Sequence, residues 1–120
     1  MKRKAFEIGG VLALALWLTP ALGTEAELRG ARLIATPNSA QLTLDLAGTA
    51  TEHVFSLQHP HRTVIDLPHT RMARGFRMPA VGTGIVTDIR VGHQLARTVR
   101  IVMQLREKVE ARSVWAASGG

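Results

Sequence analysis

The stretch RTVRIVMQL, residues 97–105, decides the fold. Val99, Ile101, Met103 and Leu105 fall on one side of an extended chain, and Thr98, Arg100, Val102 and Gln104 on the other. Successive side chains of a strand point to opposite faces, so apolar residues at a period of two predict a strand with one buried face. QLTLDL, residues 41–46, repeats the pattern, with Leu42, Leu44 and Leu46 opposing Gln41, Thr43 and Asp45. At an offset of 59, Leu42 to Leu46 lie over Ile101 to Leu105, and Ile34 falls near Val91 with two extra residues in the second turn. Two copies of one β unit predict an all-β fold, a small sandwich of two short sheets packed face to face.

The sequence on either side extends this pattern. ARLIA (31–35), EHVFSL (52–57), RTVIDL (62–67), IVTDIRV (85–91) and EARSVW (110–115) are further strand candidates. In IVTDIRV, alternation sets Ile85, Ile89 and Val91 against Val86, Asp88 and Arg90. Turn residues separate the strands at TPNSA (36–40), at AGTAT (47–51) and at His59-Pro60-His61, where proline ends the pairing. The span from Pro68 to Gly84, rich in Pro, Gly and Arg, predicts a crossover loop with a helical turn around Thr70–Arg74.

A chain of 120 residues holds one domain at most. Its first residues belong to a different class of segment. A basic start, MKRKAFE, precedes the apolar run IGGVLALALWL (8–18), which is too short to span a bilayer, and TPALGTEA follows with small residues. That arrangement predicts a secretory signal peptide cleaved after Gly23, with Ala26 as the second choice. The start lacks a twin-arginine pair, so general secretion is the expected route into the periplasm. The expected organisation is a signal peptide at 1–23, a linker at 24–30, the β domain at 31–116, and a linker or truncated end at 117–120.

Without Lys2, Arg3, Lys4 and Glu7 the balance is 12 basic against 8 acidic residues, which suits a polyanionic partner at the cell envelope. Nucleic acid is not expected, because export removes the protein from it and the charges form no stripe. The absence of cysteine excludes disulfides, thiolate metal sites and a nucleophilic thiol.

No catalytic pattern emerges. His53, His59, His61, His69 and His93 follow no metal-ligand spacing, and they read as turn and edge residues. The carboxylates are spread through apolar alternation without a pair marked for acid–base work, and the serines lack a Gly-x-Ser-x-Gly context. No cofactor is expected in this chain.

Phe55, Leu57, Pro60, Arg62, Val64, Asp66 and Leu67, in that order, resemble the first hallmark of the AMIN domain. Ile85, Ile89, Arg90, Val91, Gly92 and Gln94, followed by Thr98, Val99, Arg100, Ile101, Val102 and Leu105, resemble its second. The similarity covers about Ala31 to Trp115. The resemblance implies a non-catalytic β-sandwich module that binds peptidoglycan and localises its host. Such hosts are N-acetylmuramoyl-L-alanine amidases, which it targets to the division septum, and some secretin-type pilus proteins. Zinc would belong only to an amidase catalytic domain, whose motifs this chain does not carry. Two alternatives stand beside wall binding. One is a protein-interaction domain of an envelope division or secretion complex; the other is the N-terminal part of an amidase whose catalytic domain is absent from this chain.

Peptidoglycan offers hydroxyls, acetamides and carboxylates. Guanidinium groups pair with carboxylates in two-pronged fashion, and Asp and Gln suit hydroxyls and amides. The expected binding residues are therefore Arg62, Asp66, Arg90, Gln94 and Arg100. The competing expectation is that Arg62 pairs with Asp66, or Arg90 with Asp88, simply to hold an exposed sheet. The few aromatic side chains argue against a groove that grips sugars by stacking.

Overall fold

Leu42, Leu44 and Leu46 are at most 2% exposed, and Ile101, Met103 and Leu105 at most 5%. These two rows form the centre of the core, with Ile65, Leu67 and Val99 beside them. A computed structural model describes residues 2–8, 12–19, 25–94 and 97–117 of the chain. The strands are β1 (Lys2–Ile8), β2 (Leu12–Thr19), β3 (Ala26–Ala35), β4 (Ala40–Ala47) and β5 (His53–Leu57). They continue with β6 (Arg62–Pro68), β7 (Thr70–Met72), β8 (Val86–His93), β9 (Thr98–Leu105) and β10 (Ala111–Ala117). One sheet runs β1-β10-β2-β4-β3-β7 and the other β5-β6-β9-β8. The fold is all-β, as the alternation predicts.

The duplication is visible in the pairing. Hairpin β3–β4 lies in the first sheet and sends β5 to the second; hairpin β8–β9 lies in the second and sends β10 to the first. Each hairpin carries a register shift at the same place, between Leu28 and Gly30 in one and between Val86 and Asp88 in the other. A bulge of this kind adds one residue to one strand and bends it. It also corrects the expected facing of IVTDIRV: Val86 turns inward beside Ile85, both 1% exposed, because Thr87 is taken up in the bulge.

The match between the two copies also needs adjustment. Ile34 pairs with Gln41, and Gly92 pairs with Arg100. Ile34 therefore corresponds to Gly92, not Val91. The second turn is longer by one residue, since 36–39 lie between the pair Ala35 and Ala40 whereas 94–98 lie between His93 and Val99.

Two further expectations give way to packing. Residues 24–30 were expected to be a linker, but β3 starts at Ala26, because Ala26 and Leu28 are fully buried. Thr70–Arg74 forms no helical turn. Thr70–Met72 instead pairs in parallel with Ala26–Leu28. Glu27 supports that edge by accepting hydrogen bonds from Arg29 Nε (3.0 Å) and Arg71 Nε (3.1 Å). Those bonds, from Arg29 first, hold the Glu27 carboxyl below its ordinary range. Strands β1 and β2 come from the stretch expected to be a removable leader; β2 lies parallel to β4. The expected cleavage junction at Gly23 lies outside the described residues.

Thr63 sits in the core row of β6, fully buried, and its hydroxyl has no hydrogen-bond partner. A buried hydroxyl without a partner costs about 1–3 kcal/mol. Thr63→Val keeps the shape and removes the polar atom, so it should raise the melting temperature by several degrees. Thermal unfolding followed by circular dichroism checks this; a lower melting temperature would contradict it.

Candidate ligand-binding face

Because Thr63, Ile65 and Leu67 of β6 and Val99, Ile101 and Met103 of β9 point into the core, their neighbours in sequence form the outer face of the second sheet. The cross-strand register arranges that face in rows. Leu57, Arg62, Gln104 and Asp88 form one; Phe55, Val64, Val102 and Arg90 the next; and His53, Asp66, Arg100 and Gly92 the third. Val64 is only 1% exposed although it faces outward.

The strongest polar contact on the face joins Asp66 and Arg100. Arg100 donates from Nε to Asp66 Oδ1 at 2.7 Å and from Nη2 to Oδ2 at 2.8 Å, a two-pronged pair across β6 and β9. The Arg100 guanidinium also lies over the Phe55 ring, 5.5 Å from its centroid. The hydrogen bond to Asp66 raises the Arg100 pKa above its already high ordinary value, so the charge is permanent. Ring and carboxylate together fix the guanidinium plane. Arginine carries five N–H donors, and the pair with Asp66 uses two of them.

Beside this fixed group the surface opens. Gly92 stands opposite Arg100, and a Cβ added there would meet nothing within 4 Å. The result is a shallow depression of about 210 Å³ whose lining includes Arg90, Gly92, Gln94, Arg100 and Val102. Gln94 is held at its rim by a backbone hydrogen bond to Thr98 O at 2.8 Å. Arg90 donates from Nε to Asp88 Oδ2 at 2.7 Å, but the two side chains are 81% and 43% exposed. An exposed pair of this kind is worth little and is cheaply exchanged for a ligand.

The structure thus brings Asp66, Arg90, Gln94 and Arg100 together on one face. Arg62 shares the sheet but turns back on its own turn, donating to Pro60 O at 3.2 Å and Gln58 O at 3.5 Å. The expected pairing of Arg62 with Asp66 gives way to Arg100 with Asp66, because the β6–β9 register sets Arg100 directly opposite Asp66. The pairing of Arg90 with Asp88 is present. Gly92 and Phe55 were missed as contributors; the signal for Gly92 was its place between two polar outward positions of a strand. Among the described residues no three of His, Asp and Glu cluster as metal ligands would. A larger depression, about 370 Å³, lies between Leu33–Pro37 and Ala80–Gly84, but no charged side chain lines it.

The two-pronged geometry sets a prediction. Arg100→Lys keeps the charge and loses the planar fork, so it and Asp66→Ala should each lower stability by about 1 kcal/mol. The double variant should cost less than the two single changes combined. Urea unfolding of all three checks this, and strictly additive losses would contradict it.

Comparison with known proteins matches the outer-face residues to one family. No curated protein and no solved structure matches the chain. The model of one protein family, the AMIN domain, matches residues 30–118 and so takes in every residue of the face just described. AMIN domains are non-catalytic and occur in peptidoglycan-binding, amidase and secretin settings. The chain belongs to the AMIN domain family.

Proposed function

We propose that this chain is a peptidoglycan-binding module, exported through a cleaved leader, that localises an N-acetylmuramoyl-L-alanine amidase at the division septum. The observation that carries this reading is the Arg100 guanidinium, fixed by Asp66 and Phe55 beside an open depression that Arg90 and Gln94 also line. A fixed planar donor loses little freedom on meeting a carboxylate or carbonyl oxygen. Arg90 can leave Asp88 for a ligand at small cost, and Gln94 offers both a donor and an acceptor to an amide. Stem-peptide carboxylates and acetamido groups are the parts of peptidoglycan that match this set.

The depression is shallow and open, so affinity for any single repeat is low. A polymeric wall compensates through many neighbouring sites. On this reading zinc and hydrolysis belong to the host enzyme, and this chain supplies address rather than chemistry. The face is built from four strands of a rigid sheet, which suits recognition that needs fixed geometry.

The test is co-sedimentation of the protein with purified, protein-free sacculi at low and moderate salt. Binding should persist at moderate salt and fall at least tenfold in Arg100→Ala, with the variant still folded. Chitin, which has acetamides but no carboxylates, should retain the protein more weakly than sacculi. A protein that stays in the supernatant at both salt concentrations would sink wall binding. Retention on an immobilised division or secretion protein would then favour an edge-strand interaction domain.

A further inference from the structure

The duplicated architecture places a second outer face on the first sheet, position for position equivalent to the one described. Gln41 of β4 stands where Arg100 stands in β9, since each precedes the first inward residue of the matching rows, Leu42 and Ile101. Its cross-strand partner Ile34 stands where Gly92 stands. One row further, Arg32 opposite Thr43 corresponds to Arg90 opposite Val102, and Gly30 opposite Asp45 to Asp88 opposite Gln104. The bulges fall at matching positions, so the correspondence does not depend on a choice of alignment.

The backbone is repeated and the chemistry is not. The first face has an amide at Gln41 in place of the Arg100 guanidinium. Where the second face is open above Gly92, the first carries Ile34, whose branched side chain is 66% exposed. A β-branched side chain held on a strand has little rotamer freedom with which to swing aside. It stands at the position that Gly92 leaves without a side chain on the other face.

We propose that the two halves have diverged so that only the β5-β6-β9-β8 face takes a carboxylate-bearing wall ligand, and that Gly92 is the residue that decides it. This rests on the wall-binding reading above and adds to it which face binds and what keeps the other from doing so. What Gly92 supplies is space: a Cβ added there meets no neighbour within 4 Å. A larger side chain built outward from that Cβ takes up the depression, at the position that Ile34 holds on the opposite face.

The experiment exchanges the two positions. Gly92→Ile, with Gly92→Ala as a smaller step, and Ile34→Gly are compared with wild type and Arg100→Ala for pelleting with sacculi, alongside thermal melts. Gly92→Ile should weaken binding at least tenfold with a melting temperature no lower than wild type, Gly92→Ala should fall between, and Ile34→Gly should bind as wild type does. Wild-type binding by both Gly92 variants, with Arg100→Ala still defective, would overturn this inference and leave wall binding standing. Loss of binding in Ile34→Gly as large as in Gly92→Ile would show that both faces take the ligand, and would overturn it too. If wild type itself does not pellet, the wall-binding reading fails and one-sided recognition fails with it. Separate arms with muropeptides and with stem-stripped glycan strands distinguish carboxylates of the stem peptide from those of the muramic acid.

Discussion

The whole structure depends on the facing rows of β4 and β9. Leu42, Leu44 and Leu46 bury against the other sheet, as do Ile101, Met103 and Leu105, and each such side chain contributes roughly 1.5–3 kcal/mol when withdrawn from water. A strand has only two faces. Once these residues are committed inward, Gln41, Thr43 and Asp45, and likewise Arg100, Val102 and Gln104, are committed outward. The candidate ligand-binding face is therefore a by-product of the core's register. A slip of one residue would bury Arg100 and expose Ile101, so the register is guarded by the same burial that holds the fold.

This separation explains how the two halves could share a backbone and differ in surface. The inward rows are held by packing, and a change there is felt throughout the sandwich. The outward rows meet solvent, and substitutions among them are nearly neutral for stability. Glycine opposite arginine on one side and isoleucine opposite glutamine on the other are compatible with one hairpin geometry, bulge included. The outward Asp66–Arg100 pair is an exception, since it also steadies the sheet over Val64 and Phe55.

Much of the fold was legible because period-two burial writes itself into local sequence. RTVRIVMQL and QLTLDL announced their inward faces, and the order of strands between them followed from turn residues. What escaped was non-local or masked by exceptions to the period. The bulge at Thr87 swaps the faces of Val86 and its neighbours, and a bulge has no fixed residue signature. The extra residue in the turn after His93 shifts the correspondence of Ile34 to Gly92, yet turn residues carry no period by which to count it. β3 began earlier than expected because Ala26 and Leu28 are covered by parts of the chain distant in sequence. At the candidate site, alternation made the outward positions of Arg62, Asp66, Arg90 and Arg100 legible. The partner of Asp66 could not, since Arg62 and Arg100 are both basic and only the β6–β9 register chooses between them. Gly92 was hidden for a simpler reason: its contribution is a missing side chain.

On the proposed function, a wall ligand sits on the β5-β6-β9-β8 face against Arg100. The most direct measurement is a titration of the ¹⁵N-labelled protein with soluble muropeptides, followed by amide and guanidinium resonances. Shifts should concentrate at Gly92, at the Gln94 side-chain amide and at Arg100 Nε, with Ile34 and Gln41 unmoved. Shifts centred on Ile34 and Gln41, or none at saturating ligand, would contradict it.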